Sequence, residues 1–566
     1  MTMKPSLARR ASFEMRSNVV RAPSAAKKIP RLAGDLMSGT LVEPPSTDEE
    51  ELASEASHGP DLSVLEDHTP LYLRSPRAMA GLTLAVGLVF LFFCFRPLWH
   101  TDVWGHLAYG RLIWQTQAIP VHEPLMPLAK GMRFVDTAWL SQLIGLGAIS
   151  RFGVPGLQGL YALSVSLCAG LLAWRAYRTS RNGWFGLAAV AVFLLVGWSQ
   201  LMVQRPQLAG LVCFVAMLAI CTSRHPRPIE WFLVPVLFAA WANLHASFLM
   251  GLALLACCVV GRAVDLLRRT SSIQLVLRDD RVRRSFLLLE LAAVAVLLNP
   301  YGIELYVEAL RFSSNENLQE LTEWSPLSLR EGQGQMFAAG AVLLAMLYRW
   351  TPRRVQTWEV LALVVFGAGA LWSNRLLIWW APVAASLVAL HGYSTWRAVC
   401  RQPLVPAAAP RAGKWSVVTV GLVFICFGFS PLGVKVMHGK NPALKKAVST
   451  YTPIAAVEYL KENPPQGLVF NIYEWGDFLQ WSGPPGMKVF VNSHAHLVPR
   501  DIWQAYMQVI EQRAGWEEIF DRYGVNTIVL DKDFREPLIK KMKEDDKWKV
   551  GLERDGQVVF VRKKPI

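Results

Sequence analysis

The chain has 566 residues, of which 52% are hydrophobic and only 18% charged, and its formal net charge is +15. A soluble protein of this size carries about 25% charged residues, so an ordinary soluble enzyme is excluded. The surplus of Lys and Arg reads as membrane topology; no nucleic-acid partner is implied, and membrane lipids are the expected surroundings.

Residues 1–75 contain no apolar run. Residues 1–31 hold eight Lys/Arg and one Glu, and residues 43–67 hold nine Asp/Glu and no Lys/Arg. Charge-segregated segments of this kind cannot bury a core. A disordered cytoplasmic tail is expected over 1–75, its basic part lying on anionic lipid.

Apolar runs then recur at the length a bilayer requires, about 17–25 residues. The pattern predicts eleven spans, near 78–96, 154–174, 183–200, 207–223, 230–244, 246–263, 285–299, 335–349, 357–373, 375–391 and 416–434. Residues 136–152 are apolar but short, and are expected to form an interfacial or re-entrant helix. With the N-terminus inside, the inner loops carry the arginines, among them Arg175, Arg178 and Arg181, then Arg278, Arg281, Arg283 and Arg284. The outer loop 300–334 has the opposite bias, six glutamates against Arg311 and Arg330. This alternation supports the count. Eight cysteines lie in or beside the apolar runs without metal-ligand spacing, as small buried hydrophobes do.

The expected fold class is therefore an α-helical polytopic membrane protein of about eleven spans with a C-terminal extracytoplasmic α/β domain. Its parts are the tail 1–75, a membrane domain 76–436 with outer loops 97–153 and 300–334, and a soluble domain 437–566. In the last part, "PIAAVEYLKEN" reads as helix and "GLVFNIY", "MKVFVNS" and "VNTIVLD" as strands. "WKVGLERDGQVVFVRK" reads as a hairpin turning at Asp555-Gly556.

Topology sorts the unusual polar residues onto the outer face: "HTDVWGH" (100–106), "VQRPQ" (203–207), "NLHASF" (243–248), "NPYG" (299–302), "EWSP" (323–326) and "SNR" (373–375). Ionisable groups at membrane depth are costly and usually line a cavity or pathway. One outward-opening cavity is expected, lined by His100, His245, Asn243, Tyr301 and Glu323. Asp102 is the expected site acid, acting as a base or a metal ligand, with His106 four residues on and sharing its face if the stretch is helical. Asp102 and His106 are the expected ligands of a divalent cation such as Mg or Mn. Trp99 and Trp104 are expected at the interfacial level. Arg205 and Arg375 either anchor at the interface or clamp a donor phosphate. A carboxylate beside arginines suits transfer from a phosphate leaving group, and a lipid-linked phosphate is the natural donor outside the cytoplasm.

As an ordered set, "TDVWGHLAYGRLI", "DTAWLSQLI", "QRPQL", "WANLHASFLMGL", "LNPYGIELY", "EWSPLSL" and "KVFVNSHAHLV" resemble bacterial polytopic membrane proteins related to the GT-C glycosyltransferases. The likeness runs from about residue 77 to 566. It implies an acidic motif in the first outer loop, falling on Asp102, and a polyprenyl-phosphate-linked sugar donor. It also implies a multi-pass protein of the bacterial inner membrane, with the soluble domain outside. "AVEYLKEN…VFNIYEWGDF" resembles, more loosely, the acceptor-reading part of oligosaccharyltransferases, with Glu474-Trp475-Gly476-Asp477 in the motif position. His494 and His496 stand where relatives show Arg and Ala. The expected function is sugar transfer at the outer face; the alternatives are a non-enzymatic scaffold or lipid-carrier handler of the same fold, or a surface-polysaccharide polymerase or ligase.

Overall fold

The computed structural model describes residues 67–99, 102–223, 226–402 and 408–566. The described chain, residues 67–566, forms one compact unit. Most of the expected tail lies outside the described residues. Residues 67–75, assigned to that tail by composition, instead carry structure. A 3-10 turn, Leu71–Leu73, leads into a two-residue strand, β1 (Ser75–Pro76), which pairs antiparallel with β2 (Arg411–Ala412). Asp67 Oδ2 accepts from Gly413 N at 2.7 Å. The physical reason is local: a single Asp caps the start of a later helix, which a composition average cannot register.

Each of the eleven expected apolar segments contains a helix. Five are long and apolar enough to cross a membrane: Arg77–Cys94, Val154–Ser180, Gly183–Leu201, Phe248–Thr270 and Asn374–Val399. The last expected span is instead two helices, Gly413–Gly428 and Pro431–His438, bent by 82° and counted as a sixth span if continuous. Pro431, which starts the second helix, and Ser430, whose side chain caps it, explain the break. Gln207–Cys221, Glu230–Leu244 and Thr357–Trp372 are shorter apolar helices. Trp139–Phe152 is the expected short helix before the second long one.

Because successive helices run back and forth, their connections alternate between two ends of the bundle. Gly183–Leu201 has 19 residues and so is about 28 Å long, and this separates Arg181 from Arg205. One end gathers the turns after Leu201, Leu244, Val296 and Trp372; the other gathers those after Ser180, Cys221, Thr270 and Trp350.

The C-terminal part forms a five-stranded mixed sheet, ordered β4 (Lys488–Val489), β3 (Leu468–Asn471), β5 (Val525–Asp531), β7 (Gln557–Arg562), β6 (Trp548–Arg554). β3 pairs parallel with β4 and β5, while β7 is antiparallel to β5 and β6. All seven residues of β5 are buried, as a central strand covered on both faces requires. The β6–β7 hairpin turns at Asp555 (φ 54°) and Gly556 (φ 73°), two left-handed residues whose twist suits a two-residue hairpin.

One hydrophobic core lies within the helical bundle; a second is shared between the sheet region and the loops at one end of the bundle. Leu98, Trp104, Leu107, Leu318 and Leu321 all belong to this second core. Trp104 is therefore no interfacial aromatic. It is 2% exposed and meets the Phe478 ring edge-on at 5.1 Å, because the docked sheet region covers the helix that carries it. Leu98 bridges to Val448 in a parallel pair. Asn317 donates to the carbonyls of Ala495 (2.9 Å) and Val498 (2.8 Å), and Arg500 and Trp503 both bond Glu320.

Candidate functional site

Asp102 opens the helix Asp102–Thr116, where a carboxylate faces the positive end of the helix dipole. Arg205 sits in the turn between Gly183–Leu201 and Gln207–Cys221, immediately before Pro206, which disfavours helix at the preceding residue. The two meet: Arg205 Nε lies 2.7 Å from Asp102 Oδ2. Arg205 Nη2 lies 2.6 Å from Glu323 Oε2, and Arg375 Nη1 lies 3.0 Å from Glu323 Oε1. Glu323 and Arg375 are each carried by a 3-10 turn, and Asn374 N donates to Ser325 O at 3.0 Å, stitching the turns together. Arg375 also lies over the Trp324 ring at 5.0 Å, a cation–π contact. The result is an alternating row, Asp102–Arg205–Glu323–Arg375, assembled from four separate connections.

Imidazoles surround this row. His245, in the tight turn between Glu230–Leu244 and Phe248–Thr270, accepts from Ser247 N at 3.1 Å. Burial, then the charges of Arg375 and Arg205, push its pKa down to about 3. His106 lies 3.4 Å from Gln142 Nε2 through Nδ1, and its ring centre is 5.5 Å from that of His494. His494 in turn packs on Tyr109 at 4.7 Å and His496 at 5.7 Å. Burial pushes His106 down to about 3 and His494 to about 4, with Asp102 opposing both shifts. His496 is pushed well down by burial and then by His494 and Arg375. These rings stay neutral at pH 7.

Behind them lies a second polar layer. Gln142 donates to Asp136 Oδ1 at 2.8 Å, and burial lifts the Asp136 carboxyl to about 7. Asp477 is fully buried, and burial first, then the Asp102 charge, hold its carboxyl well above the usual range. Gly105 is what lets Asp477 in. A Cβ on Gly105 would collide with that carboxylate, whose Cγ lies 2.7 Å from the Cβ position. Gly105→Ala is therefore expected to lower stability by about 1–3 kcal/mol, read as an earlier thermal transition in detergent; an unchanged midpoint would show that Asp477 moves aside freely.

The neutral histidines carry a pH signature. A histidine whose pKa is depressed on folding adds stability above its unfolded value, about 6.5. That stability is lost as pH falls towards the folded value. Stability is expected to drop between about pH 6.5 and 4, and His494→Gln to flatten that limb. Asp136 works the other way, since its raised pKa favours the folded state below about pH 4 and the advantage disappears as pH rises through 7. Unfolding midpoints of His494→Gln and of Asp136→Asn, each against the parent across this range, separate the two opposing slopes.

Of the residues singled out in the sequence, Asp102, Arg205, Glu323 and Arg375 converge directly, with His106 and His245 beside them. His100 lies outside the described residues. Asn243 and Tyr301 are engaged elsewhere. Asn243 bonds Trp139 Nε1 and the carbonyls of Ala239 and Leu298, and Tyr301 OH accepts from Asp136 N at 3.0 Å. Both brace the outer loops. Sequence reasoning passed over Asp136, Gln142 and Tyr473, and set no site on His494 and His496. Tyr473, in the sheet region, has its pKa raised by burial and then by Glu474, with Glu323 and Asp102 adding to the shift. "SHAH" beside a strand end was the one signal available for the histidines.

Asp102 and His106 are the candidate cation ligands, and His100, third in the same stretch, lies outside the described residues. Among the described residues no three His, Cys, Asp or Glu side chains form a metal-holding group. A cation on Asp102 Oδ2 would also sit against the Arg205 guanidinium, where like charges repel strongly.

Apolar helices, closed at one end by their connecting loops and a docked α/β region, make up the fold of a membrane protein. Two solved structures are similar to it. The Archaeoglobus fulgidus oligosaccharyltransferase, tethered to an acceptor peptide containing the NVT sequon, superposes with a TM-score of 0.51 at 12% identity, over 86% of this chain and 74% of its own. ArnT from Cupriavidus metallidurans, bound to undecaprenyl phosphate, gives 0.47 at 16% identity, over 85% and 97%. No protein-family model and no curated protein matches the sequence.

Proposed function

We propose that the protein transfers a sugar from a polyprenyl-phosphate-linked donor to an acceptor at the extracytoplasmic face of a bacterial inner membrane. The observation that carries this reading is the row Asp102–Arg205–Glu323–Arg375. Arg375 commits Nη1 to Glu323, and a guanidinium has five N–H donors, so it retains donors for phosphate oxygens. Arg205 and Arg375 hold the donor phosphate and take up the charge that grows on it as the sugar–oxygen bond breaks. Asp102 accepts the proton of the acceptor hydroxyl as that oxygen bonds the anomeric carbon. The neutral imidazoles of His106, His245, His494 and His496 offer hydrogen bonds to sugar or acceptor without adding positive charge.

The test is transfer of a radiolabelled polyprenyl-phosphate sugar by the purified full chain, with Asp102→Asn beside it. The same reading puts Arg181 and Arg281 in the cytoplasm and Glu320 and residues 440–566 outside. Cysteines placed at 320 and 500 are expected to react with an impermeant reagent in intact cells, and one at 281 only after permeabilisation. Labelling of 320 and 500 from opposite sides would remove the orientation.

A further inference from the structure

A large cavity lies at the other end of the bundle from Asp102. It has a volume of about 750 Å³ and is lined by nine arginines, with Glu230 its one acid. We propose that it is a second binding site, for the phosphate headgroup of an anionic lipid.

The arginines divide into two sets. Five are engaged. Arg262 pairs with Asp279 at 3.0 Å, Arg284 with Glu230, Arg353 with Glu359 at 3.7 Å and Arg354 with Asp265 at 3.4 Å, and Arg175 donates to Thr222 Oγ1 at 2.7 Å. Among the described residues, Arg178, Arg181, Arg227 and Arg281 have no acid within salt-bridge distance. They come from three different places in the chain: Arg178 lies in the last turn of Val154–Ser180 and Arg181 caps it, Arg227 precedes Glu230–Leu244, and Arg281 lies in the first turn of Asp280–Val296. Four uncompensated guanidiniums around one concave wall focus a positive potential, and their planar forks match phosphate oxygens.

The volume falls within the range of small-ligand pockets, about 300–1,000 Å³. The inner wall is apolar, with Leu172, Leu218, Leu255 and Leu288 all buried. A ligand that fills it carries negative charge at one end and hydrocarbon at the other, as a phospholipid does. Topology alone does not account for the arrangement. The positive-inside rule asks for arginines on one side, and Arg268, Arg269, Arg278 and Arg283 meet it without lining the cavity. Convergence of the other set on a single hollow is a separate feature. The site lies a helix length from the Asp102 row and does not depend on the transfer reading.

Three probes distinguish the sources of phosphate: a short-chain phosphatidic acid, a phosphatidylcholine of equal chain length, and inorganic pyrophosphate. Each is titrated by calorimetry into the full chain in uncharged detergent. Phosphatidic acid is expected to bind at least tenfold more tightly than the other two. R178Q/R181Q/R227Q/R281Q, which breaks no ion pair, is expected to lose at least tenfold in that affinity. R268Q/R269Q/R278Q/R283Q is expected to stay within twofold of the unaltered chain. If the first variant misfolds by its melting midpoint, R178K/R181K/R227K/R281K keeps the charge, loses the fork, and is expected to bind several-fold more weakly. Equal losses in the two glutamine variants would mean diffuse surface attraction and overturn the site. So would equal binding of the two lipids, or full affinity in the lysine variant where that variant decides. Binding of pyrophosphate as tight as that of phosphatidic acid would make free phosphate the ligand and overturn the lipid assignment.

Discussion

Asp102→Asn is expected to cut sugar transfer by more than about 100-fold, the scale of a lost general base, while leaving the protein inserted and folded. Asparagine keeps the side-chain shape and retains a carbonyl oxygen that can accept from Arg205 Nε. Arg205 keeps its second partner, Glu323, at 2.6 Å, so no buried cation is stranded. The loss should therefore fall on catalysis. Donor binding, measured with the lipid-linked sugar in the absence of acceptor, should change little, because the proposed reading assigns the phosphate to the arginines. Full activity in the variant would retire Asp102 as the base. A loss matched by an equal fall in melting midpoint would make it structural.

Arg205→Met is expected to be the most destabilising single change in the site. Arg205 is 4% exposed and joins both carboxylates. Removing it leaves Asp102 and Glu323 facing each other without the intervening charge, and breaking a buried pair costs about 3–5 kcal/mol. Glu323 keeps about a third of its side chain in water, so the lower end, about 3 kcal/mol, is expected. Arg205→Lys restores the charge but not the fork, and its midpoint should fall between those of Met and the parent. The thermal transition in detergent reads both. A Met variant as stable as the parent would show that the row is not held by its ion pairs.

The helical segments were legible because each is an apolar run bounded by charge or by Pro, Gly and Asn, and burial in a bilayer or a bundle demands that pattern whatever the neighbours are. The Asp555-Gly556 hairpin was legible for the same local reason, since two left-handed residues in a row select for such a pair. The bend at Ser430-Pro431 was less so, because "FSPLG" sits in an apolar window that averages to a single span.

The site was legible in part. Asp102, Arg205, Glu323 and Arg375 stand out as charges at helix ends on one side of an alternating topology, and that alone places them on one face. Their order in the row depends on how the helices pack. Nothing local to Glu323 distinguishes it from Glu320, yet Glu320 turns to Arg500 and Trp503 in the sheet region while Glu323 bridges two arginines. Trp104 shows the same limit: its flanking sequence suits a membrane interface, and only the docked Phe478 reveals it as core.

By itself, then, the sequence determined the membrane class, the helical segments, the alternation of charge between connections and the α/β character of the last part. All of these follow from interactions within some twenty residues, where hydrophobic period and turn chemistry act. Tertiary structure alone decided three things: which acid meets which arginine, that His106, His494 and His496 gather beside them, and that four arginines with no acid partner among the described residues share one hollow at the far end. Each joins residues from tens to hundreds of positions apart, and such contacts are set by the packing of whole helices and of a docked sheet, for which no local pattern stands.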